Sequence, residues 1–182
     1  MAESLFKKLK NFHELHESVH DSQTLISILK KELDSYTVFD LMKIQAQLEK
    51  ESKYLPPGYK EMFKKKMGEQ LFGNYKAIIS GNTYHNQKLD IELYTEFLKN
   101  FQSKLNDQTD EHFLDMTMLY YMCALYNIFV TLTPPHPEGT PFPGGYFVEK
   151  KGEDYYCPVR DKQEDNSEAL CKFCIAKQAD ME

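Results

Sequence analysis

Arginine is almost absent from this chain of 182 residues: it occurs once, at position 160, while lysine carries the rest of the basic charge. The bias points to a genome that avoids arginine codons, so the survival of Arg160 asks for a reason. A basic surplus is also missing. The net charge is −6, opposite to the balance of most nucleic-acid binders. The one lysine run, FKKKM, reads as a solvated helix face. The expected partner is therefore an unknown protein or a small molecule, not nucleic acid. The opening MAESLFKKLKNF has charges where a secretory leader needs an apolar core. That favours a cytoplasmic protein, in which four cysteines stay reduced rather than forming a disulfide framework. Long apolar runs are lacking too. The nearest approach, FLDMTMLYYMCALYNIFV (113–130), holds Asp115 and Asn127 and stays at the short end of the ~20 residues a membrane span requires. It reads as a buried central helix. Finally, there is no nucleotide-type glycine loop, no G-x-S-x-G, no H-E-x-x-H and no conspicuous carboxylate pair, which leaves enzymatic activity an open question.

What is present suits a folded globular protein, with 41% hydrophobic and 27% charged residues. A chain of this size buries roughly 70% of its unfolded surface and needs no staples. Residues 2 to about 131 read as helices. The first covers roughly 3–20. Ser22 has the profile of an N-cap for QTLISILKKEL. Thr37 and Asp40 form an acidic capping box opening a helix to about Leu55. Pro56 and Pro57 break the chain and start the next helix, with Gly68 and Gly73 as its weak points. Apolar residues at 89, 91, 93, 94, 97, 98 and 101 keep a helical rhythm. The buried run at about 109–131 completes a mainly α bundle of about six helices, assigned to 1–133. No internal repeat interrupts it.

The character changes at residue 134. PPHPEGTPFPGG holds five prolines and three glycines in twelve residues, which excludes helix or inner strand. YFVEK and YYCPV then flank KGED as a β-hairpin. DNSEALCKFCIAKQ reads as a last helix, capped by Asn166 or Ser167. Residues 134–182 are thus expected to form a proline/glycine loop, a hairpin and a cysteine-bearing helix packed on the bundle. A loop this long needs a reason. Gly139, Gly144 and Gly145 permit positive φ, and successive N–H groups there would cradle an anion. The alternative, which is favoured, is a stiff strap buried by Phe142 and Tyr146.

Three of the four cysteines fall in this segment, spaced C-x13-C-x2-C at 157, 171 and 174. A CxxC pair places two sulfurs within reach of one tetrahedral ion, and Cys157 would join them from the hairpin. His136 is the candidate fourth ligand, with Asp161 as a second choice. A Cys3His set is a closed, zinc-type site. An iron–sulfur cluster is the alternative cofactor, although the spacing matches no familiar cluster run. Buried inert thiols or a redox dithiol would also account for the residues; CKFC lacks the βαβ setting of a thioredoxin-like pair. Cys123, amid Met122, Ala124 and Leu125, reads as core. Arg160 offers a planar fork that lysine cannot copy. It is expected to hold an anion or to brace the proline loop or an acid such as Glu138. His13, His16 and His20 would share one helix face, within about 60° of one another. They are read as a semi-buried edge rather than a metal ladder.

HPEGTPFPGG, YYCPVRDKQEDN and CKFCIAKQ together resemble an uncharacterised protein family of methanogenic archaea, domain of unknown function twenty-one-fifteen. The resemblance is sharp across 136–178 and loose over the helical part. It implies a cytoplasmic archaeal protein with no assigned activity, and it carries over no catalytic residues. Two readings follow from the residues themselves. One is a metal-stabilised interaction or regulatory protein. The other is a metal- or thiol-dependent enzyme, with an iron–sulfur or open zinc site between the C-terminal segment and the bundle.

Overall fold

The computed structural model describes residues 18–81, 85–106, 111–167 and 169–180. The expected first helix, with His13 and His16, lies outside them; His20 is exposed. The described chain is mainly helical. Its α-helices are α1 (Ser22–Leu33), α2 (Val38–Glu51), α3 (Pro57–Ser80), α4 (Ile91–Asn106) and α5 (Glu111–Tyr126).

The cap of α1 sits one residue earlier than expected. Asp21 is the N-cap, its carboxylate accepting from the Thr24 amide at 2.9 Å and the Thr24 hydroxyl at 3.0 Å. Ser22 is fully buried and does another job. Its amide donates to the Gln87 carbonyl at 2.9 Å and its hydroxyl accepts from the Gln87 amide at 3.1 Å. The Thr37–Asp40 capping box forms as expected, with the Thr37 amide donating to Asp40 at 2.9 Å. After α2, a 3₁₀ turn covers Ser52–Tyr54. Pro57 then opens α3, which runs unbroken through Gly68 and Gly73 to Gly81 at φ 66°.

Each amphipathic helix turns its apolar stripe inward. Leu25, Leu29 and Leu33 do so on α1, and Tyr94, Phe97, Phe101 and Leu105 on α4. Helix α5 is apolar nearly all round because it is central, touching the other four. No helix among the described residues is long and apolar enough to cross a membrane. Its last turn widens to a π-helix, Asn127–Thr131, capped by Leu132 in the left-handed region at φ 51°. The buried Asn127 makes this turn worthwhile. Its carbonyl takes the Thr133 amide at 2.8 Å, and its side-chain oxygen takes Asn74 of α3 at 2.9 Å.

Beyond residue 133 the chain makes two small sheets. β1 (Pro141–Phe142) pairs antiparallel with β2 (Tyr146–Phe147), so the proline segment carries a short ladder that its composition concealed. Gly144 turns between them at φ 90°; a Cβ there would sit 2.9 Å from the Tyr146 ring. Phe142 packs in the smaller core, whereas Tyr146 is 39% exposed and does not bury the strap. β3 (Glu149–Lys151) and β4 (Asp154–Cys157) form the expected hairpin.

The expected C-terminal helix does not form. Residues 171–173 make one 3₁₀ turn, Cys174 is extended, and β5 (Lys177–Gln178) pairs parallel with β4. Non-local bonds outweigh helix propensity here. The Ala179 amide donates to the Cys157 carbonyl at 2.9 Å, and the Gln178 amide group donates to the Pro158 carbonyl at 3.0 Å. Leu170 and Phe173 meanwhile enter the bundle core. A second, small core gathers Val148, Cys157 and Ala176 beneath the hairpin.

Candidate functional site

The segments just described meet around a cavity of about 260 Å³. Its walls include Tyr120 of α5, Pro134, Pro135 and His136 of the strap, and Val148 and Leu170. Cys157, Cys171, Cys174 and Arg160 complete them. Residues distant in sequence arrive for separate reasons. Cys157 ends β4. The parallel β4–β5 pairing returns the chain so that the 171–174 turn lies beside it. The π turn releases the strap beneath the hairpin, and His136 sets its ring edge-on to Phe142 at 5.7 Å.

All three thiols are free. Burial pushes each of them up, Cys174 to about 11, and the charges of neighbouring thiols add to this at Cys171 and Cys174. Opposing this, backbone hydrogen bonding from Val159 and Arg160 lowers Cys157, and the Ala176 amide reaches the Cys174 sulfur at 3.5 Å. The Arg160 guanidinium pulls Cys171 and Cys174 down. These thiols are therefore protonated and poorly nucleophilic at neutral pH, yet each thiolate would find a donor or a cation nearby. Burial also holds His136 down to about 4, which keeps its imidazole neutral, the form that ligates.

Among the described residues, no group of three or more His, Cys, Asp or Glu side chains is arranged to hold a metal ion. The cysteines line the cavity without converging on one point. Asp161, the second choice for a fourth ligand, is not in the lining; it faces outward and pairs with Arg160 at 3.0 Å. Among the described residues, Arg160 shares the cavity wall with the strap but makes no ion pair with Glu138. Its acids are Asp161 and, at 3.1 Å, Glu164. The glycine cradle is also partly spent: the Gly139 amide donates to the Val148 carbonyl at 2.8 Å.

Cys123 is buried in α5, its thiol facing the Leu71 carbonyl and pushed up to about 12 by burial. It lies outside this cavity and packs as core, as its sequence context suggested. Two residues important to the site escaped sequence reasoning. Tyr120 was hidden in an unbroken apolar run. Gln178, whose side chain ties Asp161 and Pro158 together, carried no signal because its partners are non-local.

Residues 21–179 match the profile of a family described as "Uncharacterized protein conserved in archaea" (DUF2115). The match takes in the helices as well as the cysteine segment, so the likeness extends well beyond 136–178. A UPF0305 protein of Methanocaldococcus jannaschii is 34% identical over 163 residues, covering 87% of this chain and 97% of its own length. Another UPF0305 protein, from Methanothermobacter thermautotrophicus, is 30% identical over 154 residues, covering 85% and 94%. One from Methanococcus maripaludis is 31% identical over 166 residues, covering 86% and 96%. No solved structure matches.

Proposed function

The chain belongs to this family of uncharacterised proteins conserved in archaea, and we propose that its cavity is a thiolate metal site of the zinc type. Cys157, Cys171, Cys174 and His136 are the donors, and the protein is an interaction or regulatory protein stabilised by the ion. One observation carries this reading: three cysteines and a neutral histidine from separate segments line a single cavity. The Ala176 amide donates to the Cys174 sulfur at 3.5 Å. Soft thiolates with one imidazole suit zinc. The thiols are held protonated by burial, so the cation itself would drive their ionisation and release protons on binding. A cysteine sulfur swings about one torsion, and taking up the ion would require the donors to turn toward one point of the cavity. The ion's work would be to tie the segment 134–182 onto the bundle of 1–133. The proposed setting is cytoplasmic, where thiols stay reduced.

A second reading has its own support. A cavity of about 260 Å³ exceeds what one ion needs, and an open coordination position would make the site enzymatic. Iron–sulfur ligation is the other cofactor such a thiolate set would accept.

Metal content of protein purified anaerobically, with its absorption spectrum, tests the reading. One zinc per chain without visible absorption supports it. Iron with sulfide and a brown colour moves the site to the cluster alternative. No metal as isolated, and no uptake of added zinc or cobalt, overturns it.

A further inference from the structure

We propose that Arg160 is the counter-charge of this site, its guanidinium offsetting the negative charge that three thiolates leave around a dipositive ion. The inference rests on the metal reading above and deepens it. Zinc with three thiolates and a neutral imidazole carries one net negative charge. Placing that charge in a partly buried cavity is costly without a cation beside it.

Arg160 is the only arginine in the chain, and it lines the cavity with the cysteines. Its two sides are used differently. On the outer side, Nη1 is held by Asp161 at 3.0 Å and by Glu164 at 3.1 Å. On the other, Nε is buried and has no hydrogen-bond partner among the described residues. A buried donor left unpaired is destabilising, and a thiolate is an acceptor that would satisfy it. The backbone amide of the same residue lowers the Cys157 thiol. Arg160 thus bears on all three thiols, by its amide on Cys157 and by its charge on Cys171 and Cys174. Asp161 and Glu164 hold the fork from outside and offset part of its charge. Arg160 is a positioning residue, acting on the ion through the sulfurs.

The test is zinc affinity of the full chain, measured by competition with a chromophoric chelator, with far-UV circular dichroism to verify folding. Partners in the outer shell of a metal typically contribute about 10–100-fold to affinity, so Arg160→Gln is expected to weaken zinc binding by about that factor. Arg160→Lys keeps the charge and is expected to bind zinc more tightly than Arg160→Gln. Glu164→Gln removes a competing acid from an exposed position and is expected to tighten binding. Equal affinity of wild type and Arg160→Gln, or Arg160→Lys no better than Arg160→Gln, overturns the role of Arg160 while leaving the metal site standing. If Arg160→Gln does not fold, the Glu164→Gln result decides, and unchanged or weaker binding overturns the proposal. A wild-type chain that takes up no zinc overturns the metal reading and this inference with it.

Discussion

Phe173 stands between two cavity cysteines, yet its ring belongs to the helical bundle, and Phe173→Ala is expected to destabilise the whole chain. The ring is 4% exposed and lies edge-on to Phe97, centroids 5.1 Å apart. Phe97 is itself fully buried and packs edge-on against Tyr121 and Phe129. A buried aromatic removes about 200 Å² from water, which at roughly 25 cal/mol per Å² sets an upper bound near 5 kcal/mol. Alanine keeps one carbon and the unfolded chain is partly compact, both of which trim that figure. The cavity left behind adds to it, giving about 3–5 kcal/mol. For a chain of this length that is a fall of about 6–20 °C in Tm. Phe173→Leu, which refills much of the space, is expected to cost less than about 1.5 kcal/mol. Urea unfolding followed by circular dichroism, with chelator present so that no metal contributes, reads both values. A loss below about 1 kcal/mol for Phe173→Ala would refute the reasoning. It would mean that the cysteine segment can leave the bundle core at little cost, contrary to a core shared through Phe97.

Two further outcomes follow from the described contacts. His136 is held neutral to about 4 by burial, whereas an unfolded imidazole titrates near 6.5. The metal-free fold is therefore fully stabilised above about pH 6.5 and loses that contribution as pH falls toward 4. Unfolding free energies from urea titrations at pH 7.5 and 5 should differ by at most about 2 kcal/mol from this group, since the ring is only half-buried; His136→Gln should remove the difference. Thr37→Ala breaks the capping box that the Asp40 carboxylate completes, and thermal unfolding should show a loss of about 1 kcal/mol.

The features legible in the sequence are those governed by neighbours in the chain. Thr37 and Asp40 are three residues apart and decide their cap alone. The KGED turn brings β3 onto β4 by the same local logic. The capping of α1 already shows the limit: Ser22 and Asp21 are both good cap residues, and the choice falls to Asp21 because Ser22 is claimed by Gln87, 65 residues away. The larger misreading, at 166–178, has the same origin. ALCKFCIAKQ has a helical profile, but β4 offers an open edge and the bundle offers a seat for Leu170 and Phe173. Neither is visible from inside the segment. The site was legible in its composition and not in its geometry. Cys157, Cys171, Cys174, His136 and Arg160 do line one cavity, whereas Arg160's true acids and the outward turn of Asp161 depend on side-chain placement that spacing does not encode.

The π turn at Asn127–Thr131 carries a consequence for how length variation would act on this chain. An α-helix closes each ring over four residues and a π turn over five; here the Leu132 amide reaches back to the Asn127 carbonyl. The turn therefore behaves as a one-residue insertion absorbed at the end of α5. Straightening the turn to ordinary α-helix without removing a residue would leave everything after it rotated by about 100°. Pro134, Pro135 and His136 follow immediately, so that change would carry His136 away from the cysteines while leaving the bundle's apolar stripes intact. Deleting one residue from the turn, by contrast, would let α5 continue as ordinary α-helix with the strap leaving in nearly the same direction. The wide turn is thus what aims the strap at the cavity with this number of residues.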